Sequence, residues 1–100
     1  MVKLIVLYGH PTDPAAFEEH YANTHIPLVG HIPSLRRFEA SRVADNPDGS
    51  RAPYYRIAEL WFDDQAQLQA STGSPEGRAT AADVGNFATG GATVLVAAID

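Results

Sequence analysis

No cysteine occurs among the 100 residues, which removes structural disulfides, cysteine-ligated zinc, iron–sulfur clusters and thiol nucleophiles together. Positive charge is scarce as well. Seven Lys and Arg stand against twelve Asp and Glu, a net charge of −5 at pH 7 with histidine neutral. Affinity for nucleic acid rests mainly on Lys and Arg neutralising phosphates, and no basic run here extends beyond Arg36-Arg37. Nucleic acid is not an expected partner. Long apolar runs are also missing. The opening stretch Val2 to Leu7 is far too short to span a membrane. It runs into Tyr8-Gly9-His10-Pro11 with no small-residue signal-peptide cleavage site. The expectation is a cytoplasmic protein that does not engage a membrane.

What is present suits one folded unit. Apolar residues make up 45% of the chain, enough for a single modest core over residues 1–100. Val2 to Tyr8 is short, apolar and closed by Gly9-His10-Pro11, and reads as a central strand. Asp13 and Pro14 then open a helix, the carboxylate taking free backbone N–H groups and the proline sitting where no donor is needed. Phe17, Tyr21 and Leu28 form its apolar stripe, with Glu18, Glu19 and Asn23 outside it. Pro27 disfavours helical geometry at Ile26, so the helix is expected to end or bend near His25. Leu35 to Val43 and Tyr54 to Phe62 read as two strands of a hairpin across a turn-rich loop with Asp48-Gly49. Asp63 or Asp64 caps a short helix through Leu68. Ser74-Pro75 opens another helical piece, and Ala92 to Ile99 is the last strand.

The order β, α, β, β, α, β in one sheet with right-handed crossovers predicts an α+β, ferredoxin-like fold. Four antiparallel strands then carry both helices on one face. Helices cover one face only, yet the first and last strands are apolar almost throughout. Monomers rarely leave so large an apolar face in water. The expectation is a homodimer joined through the open sheet faces, with a pocket for a small molecule in or near each subunit.

The stretch Asp13-Pro14-Ala15-Ala16-Phe17, then Tyr21 and His25-Ile26-Pro27-Leu28, resembles the signature of the EthD family, named for ethyl tert-butyl ether degradation. Ile32-Pro33-Ser34-Leu35-Arg36-Arg37-Phe38 is similar to the family's entry into the second strand. Ala58-Glu59-Leu60-Trp61-Phe62-Asp63 is similar to its third strand. Ser74-Pro75-Glu76-Gly77 with Asp83 through Phe87 matches the second helix. The resemblance covers nearly the whole chain and implies a dimeric α+β barrel. That superfamily includes isomerases, cofactor-independent monooxygenases, polyketide cyclases and haem-degrading enzymes, so the resemblance does not name a reaction.

His25 stands at the family's His-x-Pro position and is the candidate catalytic residue, able to exchange a proton near neutral pH. Equally, its ring could hydrogen-bond a carbonyl and hold the turn before Pro27. Tyr21, Tyr55, Glu59, Trp61 and Arg37 are the candidate substrate-binding residues. Period-two alternation sends Tyr55, Glu59 and Trp61 toward the open face, where a carboxylate beside a tryptophan would have its pKa raised. The competing reading pairs Glu59 with an arginine and uses Trp61 as interface packing. Arg37 could take a carboxylate or enolate, or simply be solvated. His10, His20 and His31 do not make a metal site: His20 and His25 are five residues apart, a spacing that points them in different directions on an α-helix. No metal or cofactor is called for. Two functions therefore stand side by side. One is a cofactor-independent enzyme using His25 for proton transfer on a hydrophobic, aromatic or polyketide-like molecule. The other is a non-catalytic carrier of such a molecule, or an accessory to a partner enzyme.

Overall fold

A computed structural model describes residues 1–100. Four strands, β1 (Val2–Tyr8), β2 (Arg37–Arg42), β3 (Arg56–Phe62) and β4 (Ala92–Ala98), form one antiparallel sheet in the order β2-β3-β1-β4. With the helices packed on one side, this is the ferredoxin-like α+β arrangement. The strands are those the apolar runs mark out, with β2 and β3 each starting two residues later than expected. No helix is long and apolar enough to cross a membrane.

Helix caps follow the local chemistry. Asp13 accepts from the Ala16 N–H at 3.2 Å and starts α1 (Pro14–His20). Asp64 accepts from the Gln67 N–H at 2.8 Å ahead of α3 (Gln65–Thr72). Ser74 accepts from the Gly77 N–H at 3.0 Å ahead of α4 (Pro75–Asp83). Each supplies an acceptor for a backbone donor that the helix leaves free. Asp63 instead takes Arg36, with contacts of 3.0 and 2.8 Å.

Of the two outcomes expected near His25, an end or a bend, there is no end: the helix leaves regular α geometry there and runs on. Past α1 it widens into a π-helical turn, Tyr21–His25, and continues as α2 (Ile26–Val29). The Ile26 N–H bonds the Tyr21 carbonyl, five residues back. Proline in a helix clashes with the carbonyl four residues before it and removes a donor. A widened turn just upstream lets Pro27 remain in the helix. The inward stripe shifts accordingly: Phe17, Tyr21, His25 and Val29 are buried, while Leu28 is only half-buried.

Even-numbered residues of β1 and β3 face the helices, so Tyr8, Ala58, Leu60 and Phe62 join Phe17, Tyr21 and Phe87 in the core. Lys3, Ile5 and Leu7 occupy the opposite face and are half-buried. Strand β4 is an edge, and Val94, Leu95 and Val96 are 57%, 48% and 47% exposed. An apolar edge strand left in water is an aggregation liability.

Candidate functional site

The widened turn builds the site. Tyr21 begins it and His25 ends it, and both side chains are buried, with ring centroids 5.6 Å apart and planes 24° from parallel. His25 Nδ1 lies 2.9 Å from Asp83 Oδ2, at the end of α4. His20 Nε2 lies 2.8 Å from Asp83 Oδ1, and Asn86 Nδ2 donates to the same oxygen at 3.0 Å. A spacing of five points two residues apart on an α-helix, but a turn closed over five residues brings them nearly into line. The expectation that His20 and His25 diverge is therefore wrong, for the same reason the helix continues. They meet on one carboxylate. No three His, Asp or Glu side chains are placed to hold a metal ion.

Burial pushes the Asp83 carboxyl up, but hydrogen bonds from Asn86, His20 and His25 outweigh it and hold the group below its ordinary value. It is a carboxylate at neutral pH and can only accept. His25 must therefore carry its proton on Nδ1, which leaves Nε2 with a lone pair. Burial lowers the His25 pKa below 6.5, and Asp83 only partly opposes it. The ring is thus neutral at pH 7, oriented by a charge and able to take a proton.

Between helices and sheet lies a cavity of about 480 Å³, within the range of small-molecule sites. Leu4, Val6, Phe38 and Leu60 line its sheet side, and Tyr8, Tyr21 and His25 line its polar end. Ala81 and Val94 are exposed wall residues, so the mouth lies between α4 and β4. Gly77 is part of the wall because α4 presses on the end of α3. A Cβ there would stand 2.2 Å from the Ser71 carbonyl oxygen.

The remaining candidates fall in two places. Tyr55 does not face the open side. It precedes β3, where the alternation has not begun, and turns toward α1. Its hydroxyl donates to Glu18 at 3.0 Å, and its ring lies 5.1 Å from Phe17. Glu59, Trp61 and Arg37 do share the open face, across the sheet from the cavity. Glu59 pairs with Lys3 at 3.0 Å, Arg37 pairs with Glu39, and Trp61 lies between Lys3 and Arg37 at 5.4 and 5.1 Å from its ring centre. One pocket does not gather all six candidate residues.

Over residues 9–91 the chain matches the EthD domain model. It belongs to the EthD family. A Rhodococcus erythropolis protein, an uncharacterised 11.0 kDa protein from the thcB–thcC intergenic region, is 47% identical over 95% of this chain and 91% of its own length. The crystal structure of an EthD family protein from Bacillus halodurans superimposes with a TM-score of 0.94 at 39% identity, covering 100% of this chain and 99% of the other. A dimeric ferredoxin-like protein of unknown function from Thermobifida fusca shares the fold, with a TM-score of 0.73 at 17% identity over 98% and 90% of the two chains.

Two residues of this EthD domain escape a reading of the chain alone. Asp83 carries no motif signal of its own. The available signal was its place on the inward stripe of α4 with Gly77 and Thr80, since a buried carboxylate demands partners. Spacing also places Glu18 outside the apolar stripe. It is half-buried and accepts from Tyr55, Arg42 and Arg56, and the Arg56 guanidinium lies 4.7 Å from the Tyr21 ring centre.

Proposed function

We propose that this EthD protein binds a small, largely apolar organic molecule in the cavity under its helices and transfers a proton on it, with His25 as the base. The supporting observation is a neutral imidazole on the cavity wall, anchored through Nδ1 to Asp83 with Nε2 uncommitted. Nε2 would take a proton from a carbon acidified by a neighbouring carbonyl. The C–H electron pair moves onto the carbonyl oxygen as an enolate, and the imidazolium, stabilised by Asp83, returns the proton at a second atom. The net result is an isomerisation. The lack of cysteine suits the reducing cytoplasm, where we place the protein.

A thermal-shift screen against aromatic, lactone and polyketide-like compounds tests this. Wild type should be stabilised by members of the panel, and His25→Ala by the same compounds to a smaller extent. Absence of any stabilisation would end the small-molecule reading. A compound that binds without exchanging its acidic C–H protons in D₂O would favour the carrier.

The open sheet face supports a second proposal, assembly as a homodimer. Ile5, Leu7 and Ile57 form an apolar centre there, bordered by the Lys3–Glu59 pair and by Trp61. On this reading Glu59, Trp61 and Arg37 belong to the interface, and the fold relative described as dimeric agrees with it. A buried glutamate at this centre would lack a partner, so Ile5→Glu should produce monomers or aggregates in native mass spectrometry. A soluble dimer of unchanged mass would exclude this face.

A further inference from the structure

The cavity wall contains no Lys, Arg, Asp or Glu. The Arg56 guanidinium, 4.7 Å from the Tyr21 ring centre, is buried and engaged by Glu18, with Nε at 3.3 Å. Asp83 is occupied by His20, His25 and Asn86. A ligand carboxylate or phosphate entering this space would lose its water and meet no opposite charge, which is strongly unfavourable.

Neutral donors are nearly as scarce. Thr72 and Thr80 line the wall, but their hydroxyls donate to the carbonyls of Leu68 and Glu76 at 2.9 and 2.8 Å. The wall also holds two phenols, Tyr8 and Tyr21, and the Tyr21 hydroxyl is the one buried side-chain polar atom without a hydrogen-bond partner. Burial pushes its pKa up to about 12 although Arg56 opposes this, so the phenol keeps its proton. An unpaired buried hydroxyl destabilises a fold. This one belongs to a ring that lines the cavity and stacks on His25.

We propose that the ligand is an uncharged molecule with an oxygen acceptor such as a ketone, ester or lactone carbonyl, and that Tyr21 donates to that oxygen. The inference deepens the small-molecule reading and rests on it. Tyr21 and His25 would then act as a pair across one turn, the phenol on the carbonyl oxygen and the imidazole at the adjacent carbon. Tyr21 would stabilise charge that develops on that oxygen.

The test uses 2-acetylnaphthalene, naphthalene and 2-naphthoate as probes, with binding measured by calorimetry at pH 7.5. Wild type should bind the ketone about tenfold more tightly than naphthalene and the carboxylate most weakly. Tyr21→Phe should abolish the ketone's advantage over naphthalene. It should also raise the melting temperature of the ligand-free protein by roughly 4–8 °C, because the unpaired hydroxyl is gone. Tyr8→Phe tests the other phenol of the wall: a ketone preference lost there and kept in Tyr21→Phe would overturn the assignment to Tyr21.

Tight naphthoate binding, or a ketone preference that survives Tyr21→Phe, would overturn the inference while leaving the cavity as a binding site. A fall in the melting temperature of Tyr21→Phe would overturn it too, since the hydroxyl would then have a partner. If no probe binds, both this inference and the small-molecule reading fail. Loss of proton exchange in His25→Ala with the ketone preference intact is the division of roles expected of the pair, whereas exchange that survives His25→Ala would overturn it.

Discussion

Asp83→Asn is expected to slow proton exchange on a bound ketone by roughly 10²- to 10⁴-fold. Asparagine keeps the shape of the carboxyl group but not its charge. It no longer demands a proton on His25 Nδ1, so the productive tautomer is not enforced. It also cannot stabilise the imidazolium that forms when Nε2 takes the proton.

The pH profile separates this role from a packing effect. In the wild type, activity should fall as pH drops through the His25 pKa, which burial holds below 6.5. Asp83 pulls that value upward against burial. Without the charge the acid limb should move to still lower pH while the plateau falls. Rates by NMR in D₂O, with the folded fraction checked by circular dichroism, give both quantities. A lowered plateau with an unmoved limb would mean that Asp83 does not act through His25.

Phe17→Ala should remove about 3–5 kcal/mol of stability, the range for truncating a buried aromatic side chain. Phe17 is the one buried residue of α1 and is 1% exposed. Its ring centre lies 5.0 Å from Phe87, 5.1 Å from Tyr55, and 5.5 Å from both Tyr8 and Tyr21. These rings join α1, β1 and the segment before β4. Truncation leaves a void that rigid aromatic neighbours cannot readily fill. Small domains have only about 5–15 kcal/mol in total, so the urea midpoint should fall steeply with the slope unchanged. A loss below about 1 kcal/mol would show that the ring cluster does not anchor the first helix.

Both variants bear on the same packed corner, which is also where sequence and structure part company. Element order was legible because its signals are local. Asp13-Pro14, Asp64 and Ser74-Pro75 announce helix starts through donors and acceptors a few residues apart. The apolar run Val2 to Tyr8 and the aromatic-rich run Tyr54 to Phe62 announce strands in the same way, the second of them two residues too early. Given that order, chain handedness and sheet pairing leave few alternatives to the observed topology.

The candidate site was legible only in part. His25 and Tyr21 stood out by residue type and motif, and both line the cavity. Tyr55 was assigned to the wrong face because period-two logic was carried one residue past the strand's end. Glu59, Trp61 and Arg37 lie together but across the sheet from His25, a separation that residue spacing does not reveal.

The chain by itself determined the fold class, since caps, turns and alternation act between near neighbours, and its motif resemblance pointed to the family and to Tyr21 and His25. Tertiary structure alone decided that His25 is oriented and neutral. Its partner, Asp83, is 58 residues away, and a buried carboxylate takes its role from whichever donors the packing of α4 against the first helix brings within 3 Å.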